Sequence, residues 1–255
     1  MTETFMSDAL FKYLVRLADD TVILSHRLGE WCGHASHIEE DVAMTNISLD
    51  LIGQARNLYS YAAEVEGKGR DEDQLAYLRN EREFTNLILV EQPNGDFGKT
   101  MARQLLYSAF MLPFWEAMMA SKDKQLAAIA AKAEKEVTYH LRHAAEWTIR
   151  LGDGTPESHR RMQEGIDELW MYTGELFVKD EVEERLIEAG IAIDPESLRG
   201  AWERTIEEVL TRATLKRPED GWMHVGGRNG VHTEHLGHAL SDFQYLQRAY
   251  PDCTW

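Results

Sequence analysis

Apolar residues recur every three or four positions along most of this chain, the spacing that keeps one face of an α-helix buried. Alternating β-branched runs are missing and only six prolines interrupt the pattern, so nearly everything reads as helix. The first helix is predicted from a cap near Ser7 and Asp8 to about "HRLGEW". The second runs from His37 to "AAEVEG", with Gly67 and Gly69 closing it. A short helical segment and the turn signal "VEQPNGD" follow. The third long helix covers about 97–120, kinked at Pro113, and the fourth starts near Asp123 and ends at "RLGDGTP". Shorter helices come next: "PESHRRMQEGIDELWMYTGELF", an acidic one after Lys179, "DPESLRGAWERTIEEVLTRA", and a last one opening at Thr233. Four long helices with mostly short turns predict an all-α bundle with additional C-terminal helices around it. No linker, repeat or low-complexity tract is visible, so 1–255 reads as a single domain.

Charge narrows the partners. A formal net charge of -17 is repelled by phosphate backbones, which argues against nucleic acid and against an anionic membrane surface. No apolar stretch approaches the roughly 20 residues of a membrane span. The two cysteines, Cys32 and Cys253, build neither a disulfide framework nor a Cys-rich zinc site. With no basic n-region leading an apolar run at the N-terminus, the expected compartment is the cytoplasm.

A long-helix bundle invites a search for a di-iron site. Such a site takes one Glu from each of two helices and a Glu-x-x-His pair from each of the other two. The fourth helix holds "EKEVTYHLRH". At 100° per residue, Ile129, Ala133, Val137, His140, Ala144, Trp147 and Leu151 share one stripe. His140 thus faces the interior, but Val137 stands where the glutamate belongs, and Glu136 lies about 100° to one side. On the second helix Asp50 is followed three residues later by Gly53, not histidine, and then by Gln54. Its apolar arc is Met44, Ile47, Leu51, Ala55, Leu58 and Ala62. Opposite, Asn46, Asp50, Gly53 and Asn57 form a small polar strip that suits either close helix contact or a solvated face. The third helix has one acid, Glu116, near its end, and the first offers Asp19, Asp20 and Glu30 at no decisive place. The count therefore fails: Asp50, Gly53, Gln54, Glu136, Val137 and His140 read as degenerate di-iron positions. His140 is expected to be a core histidine bonded to Glu136, or to Asp50 and Gln54, in a polar cluster filling the place of a metal.

"GVHTEHLGH" spaces His232, His235 and His238 by three residues. Zinc is one reading; a helix start is the other, with Thr233 as N-cap and Leu236, Leu240, Phe243 and Leu246 buried. "VGGRNG" lacks the strand and the Gly-Lys-Ser/Thr ending of a phosphate loop. Arg228, Lys216 and Arg217 would meet an anionic ligand or a partner's acids, or belong to a plain solvated loop. "YSAFMLPFWEAMM" reads as core, with part of it suited to a partner surface.

Long stretches carry a family resemblance: "LSHRLGEWCGHA", "LDLIGQARNLYSYAAE", "EREFTNLILVEQPNGDF", "AKAEKEVTYHLRH", "ELW", "HTEHLGHAL" and "YLQR". Together they resemble the PaaC-type subunit of bacterial phenylacetyl-CoA epoxidases, over nearly the whole chain. The resemblance implies a ferritin-like structural subunit with no catalytic residues and no cofactor of its own. Its expected partners are the di-iron catalytic subunit, a further small subunit, and a reductase with flavin and iron–sulfur centres. The complex would use NADPH and oxygen to epoxidise phenylacetyl-CoA in phenylacetate degradation. For the chain alone, the sequence leaves self-association as a homodimer open. His238 departs from the family pattern. The alternatives are a di-metal oxidase active in its own right, or a metal-binding protein using the C-terminal histidines.

Overall fold

The computed structural model describes residues 2–251 and 253, with side chains from Met6 onward. Among these residues all regular structure is helical, and no helix is long and apolar enough to cross a membrane. In chain order the helices are α1 (Thr2–Gly29), α2 (Ile38–Glu66), α3 (Glu72–Tyr77), α4 (Ile88–Glu91), α5 (Phe97–Met118), α6 (Lys124–Gly152), α7 (Pro156–Trp170), α8 (Glu181–Glu188), α9 (Arg199–Arg212), α10 (Glu234–Phe243) and α11 (Tyr245–Ala249). They cluster into two compact units. One takes the chain up to Pro93 and again from Gly226; the other is Asn94–Val225.

In the first unit α1 and α2 run antiparallel. Ser7 Oγ near the start of α1 donates to Val65 O at 3.1 Å, while Ser25 and Ser48 bond each other's carbonyls at 2.9 and 2.8 Å. The small serines let the two helices approach closely. Helix α1 is already formed at Thr2, so Ser7 does not cap it; its hydroxyl serves the contact with α2 instead. On α2 the predicted arc of Met44, Ile47, Leu51, Ala55, Leu58 and Ala62 is buried. Each Leu or Ile so buried contributes roughly 1.5–3 kcal/mol. Gly67 ends the helix at φ 66°, donating its N–H to Ala63 O at 3.0 Å.

In the second unit α5 is buried around most of its circumference, as expected of a helix apolar on all sides. Tyr107, Phe110, Met111, Phe114, Trp115 and Met118 are all core. The aromatic side chains of this run are therefore interior, while Glu116 and Met119 reach the surface. Helices α6, α7 and α9 pack against α5. Trp202 of α9 donates its indole N–H to Leu106 O at 3.0 Å. Asp96 caps α5 by accepting from Lys99 N, and Asp123 caps α6 by accepting from Leu126 N, each at 2.9 Å. The buried stripe of α6 is Leu126, Ala130, Ala133, Val137, His140, Ala144 and Thr148. Ile129, Trp147 and Leu151, expected inside, are half-buried, because the true face is rotated by about 30°, a third of one residue's turn. Gly152 at the end of α6 lies so close to the chain after α9 that a Cβ there would sit 2.3 Å from Ala213 O.

Candidate functional site

The stretch with metal-ligand spacing keeps its orientation in three dimensions. Val137 and His140 are both buried on α6, at 2% and 3% exposure. Glu136 lies at the edge of the buried face and meets Lys132 at 3.6 Å. The ring of His140 stands 6.4 Å from that of Tyr139. On α2, Gln54 is buried, Asp50 and Gly53 are half-buried, and Asn46 and Asn57 are exposed. The polar strip of α2 thus forms part of the chain's surface. Beside it stand large apolar side chains that the spacing of motifs did not single out: Ile38, Val42, Leu49 and Ile52, 76%, 54%, 58% and 37% exposed.

The buried acids of the first unit lie elsewhere, on α1 and α4. Asp19 and Asp20 interrupt the apolar run "LVRLADDTVIL" at the middle of α1, and both are fully enclosed. Asp19 forms an ion pair with Arg79 and accepts from Tyr59 Oη at 2.5 Å and from Thr85 N at 2.7 Å. Asp20 accepts from Arg228 Nη1 at 3.0 Å and Nη2 at 2.8 Å, and from Leu87 N at 2.7 Å. Burial outweighs the guanidinium and pushes the Asp20 carboxyl up to about 6. Glu91, also enclosed, accepts from His232 Nδ1 and Thr233 Oγ1 at 2.8 Å, from Thr233 N at 2.7 Å and from Asn86 Nδ2 at 2.9 Å. Buried carboxylates persist only when their lone pairs are satisfied in this way. The result is a charge layer that ties α1, α2 and α4 to the loop after α3 and to the loop before α10.

Two further expectations change on this layer. Arg228 does meet an acid, but it is Asp20 of its own chain, so "VGGRNG" is a structural clamp. Gly230 at its end has φ 70° and would strike Arg82 O at 2.3 Å with any Cβ. Lys216 remains in its loop, its N–H donating to Gln163 Oε1 at 2.8 Å, and Arg217 meets Asp220 at 3.0 Å. The three C-terminal histidines also separate. His232 precedes α10 and uses both ring nitrogens, Nδ1 on Glu91 and Nε2 on Phe84 O, each at 2.8 Å. Burial disfavours its charged ring, but the hydrogen bond to Glu91 and that carboxylate's charge prevail and raise its pKa. His235 is half-buried and His238 exposed. Thr233 is the N-cap residue of α10 as expected, with Leu236 and Leu240 buried, but Leu246 is 48% exposed because a separate short helix, α11, carries it outward.

The model of the phenylacetic acid catabolic protein family matches residues 1–255, the full length of both units. The chain belongs to that family. It has the family's all-α, ferritin-like helical fold. A curated relative from Escherichia coli (strain K12), the C subunit of 1,2-phenylacetyl-CoA epoxidase, is 52% identical over 246 residues, covering 96% of this chain and 99% of the relative. Sequence spacing missed Arg79 and Glu91 and gave no role to Asp19 and Asp20; with Arg228 they all serve the interior of the first unit. Two adjacent acids inside an apolar helical run were their one local signal.

Proposed function

We propose that this chain is the non-catalytic, structural member of a multicomponent phenylacetyl-CoA epoxidase, pairing with its di-iron catalytic subunit. The relative's name and near-complete coverage support the assignment to the complex. One observation carries the non-catalytic part: the chemistry at the ligand positions does not fit a di-iron centre. Val137 offers an aliphatic side chain at the interior position three residues before His140, and Gly53 offers none three residues after Asp50. The enclosed carboxylates Asp19, Asp20 and Glu91 are already held by Arg79, Arg228 and His232. No step of the oxygenation is assigned to this chain. Its role is to bury part of the catalytic partner and hold that partner's ligand helices rigid, the support that a precise site requires. The chain works in the cytoplasm as a single ferritin-like domain, beside the reductase and the complex's small subunit.

The test is reconstitution. The chain, the reductase and NADPH are combined with phenylacetyl-CoA, with and without the catalytic partner, and iron is measured on each purified chain. The expected result is epoxidation only when the catalytic partner is present, and iron on that partner only. Turnover in its absence, or about two iron atoms on this chain, would refute the proposal.

A further inference from the structure

The exposed apolar residues of α2 follow a rule. Ile38, Val42, Leu49 and Ile52, with half-buried Thr45 and exposed Arg56 filling two positions of the same series, are spaced four, three, four, three and four apart. That is the a/d seam of a coiled coil, and it runs on the order of 27 Å along one line of the helix. The buried arc lies about 140° away around α2, so the seam is a second apolar stripe, beyond what the chain's own core requires. Ile38, Val42 and Leu49 are each more than half exposed. A seam of this spacing accepts the side chains of a facing helix crossing at about 20°.

The surroundings fix the sign of the occupant. Helix α2 carries Glu39, Glu40, Asp41, Asp50, Glu64 and Glu66 against a single basic residue, Arg56. At its C-terminal half the seam opens into a cleft of about 300 Å³ lined by Ile52, Arg56, Tyr59, Glu72, Asp73 and Tyr77. Arg56 leans across to Glu72 at 3.2 Å. Partial burial, then Asp71 and Glu72, raise the Asp73 carboxyl, so the cleft holds more negative charge than Arg56 offsets. A second copy of this chain would set acids against acids, which disfavours self-association through this face.

We infer that the α2 seam is the docking face for one helix of a partner chain, apolar at four-three spacing, basic along its margins, with a basic side chain entering the cleft at Glu72 and Asp73. This rests on the reading of the chain as one member of the epoxidase complex, and it names the surface that performs that role. Apolar side chains at the centre of such a seam act as anchors, and the flanking charges set specificity and association rate.

Binding of the purified full chain to the di-iron catalytic partner, followed by calorimetry and sedimentation, tests it. Leu49→Asp and Ile52→Asp alter exposed positions, and circular dichroism and Tm verify folding. Each is expected to weaken binding by at least about 30-fold. Asp73→Lys weakens it by roughly 10-fold and flattens its salt dependence. Val178→Asp, an exposed apolar position outside the seam, leaves it within about 2-fold. If the unmodified chain binds and the folded seam variants bind equally well, the seam is not the interface, although the proposed role in the complex stands. If the unmodified chain fails to bind the catalytic partner, that role falls, and this docking face with it. A homodimer of the unmodified chain that Leu49→Asp splits would make a second copy the occupant and overturn the assignment.

Discussion

Arg228 grips Asp20 from 208 residues further along the chain, with Nη1 3.0 Å from Oδ1 and Nη2 2.8 Å from Oδ2. The same guanidinium donates to Thr85 O at 2.8 Å, so one side chain fastens the loop before α10 to both α1 and the segment before α4. Breaking a buried pair by removing one partner costs roughly 3–5 kcal/mol, because a charge is left enclosed. Arg228→Ala is expected to lower stability by that amount in urea unfolding at pH 7. Arg228→Lys, which keeps the charge but not the forked geometry, should fall between the two. An Arg228→Ala variant within about 0.5 kcal/mol of the unmodified protein would show the clamp to be idle.

The pH dependence of stability has two opposing sources in the first unit. His26 is stacked on Phe243 at 4.1 Å, its Nε2 is buried without a protein partner, and burial lowers its pKa to about 4. A base with a depressed pKa contributes stability above its unfolded value of 6.5 and loses it as pH falls toward 4. Asp20, raised to about 6, contributes most below its unfolded value of 3.8 and loses that as pH rises through 6. Substituting His26→Phe keeps the stacking and removes one of the two. The stability of His26→Phe relative to the unmodified protein should improve by about 2 kcal/mol between pH 8 and pH 5. Parallel denaturation curves at the two pH values measure this; an unchanged difference would mean His26 titrates normally.

Gly152 is a packing requirement of the second unit. Its missing side chain lets the end of α6 touch the chain just after α9, with the Ala213 carbonyl 2.3 Å from where a Cβ would stand. Gly152→Ala therefore has to push two backbones apart. Overpacking of this kind costs roughly 1–3 kcal/mol, a fall in Tm of about 2–10 °C. Gly200→Ala, whose Cβ would meet nothing nearer than Arg204 Nη1 at 3.5 Å, is the matched control and should leave Tm unchanged or raise it.

Restoring the carboxylate spacing at His140 is expected to damage the protein. Val137 is 2% exposed, so Val137→Glu buries an acid in an apolar position. Folding then favours the protonated form, so stability is lost as pH rises. The variant should be closest to the unmodified protein near pH 4.5 and at least about 2 kcal/mol less stable at pH 7.5. Added Fe(II) is expected to leave that loss in place. A loss independent of pH would show that the new carboxyl escapes to solvent.

Helix ends and buried faces were legible because they depend on neighbours in sequence. Gly67, Asp123 and Thr233 mark the ends they were expected to mark, and the Met44-to-Ala62 arc is buried as its spacing required. The heptad seam on α2 was equally present in the spacing, but its polar interruptions at Thr45 and Arg56 disguise it, and its exposure depends on where the rest of the chain packs. The helical fold, the absence of a carboxylate at Val137 and the missing side chain at Gly53 were thus determined by the sequence alone. Which acids become buried, and which cations meet them, was decided only by the tertiary structure. Asp19 finds Arg79 60 residues away, Glu91 finds His232 141 away, and Asp20 finds Arg228 208 away. No local periodicity encodes such partners: an enclosed charge takes the counter-charge that folding brings within reach, and only the folded chain defines that reach.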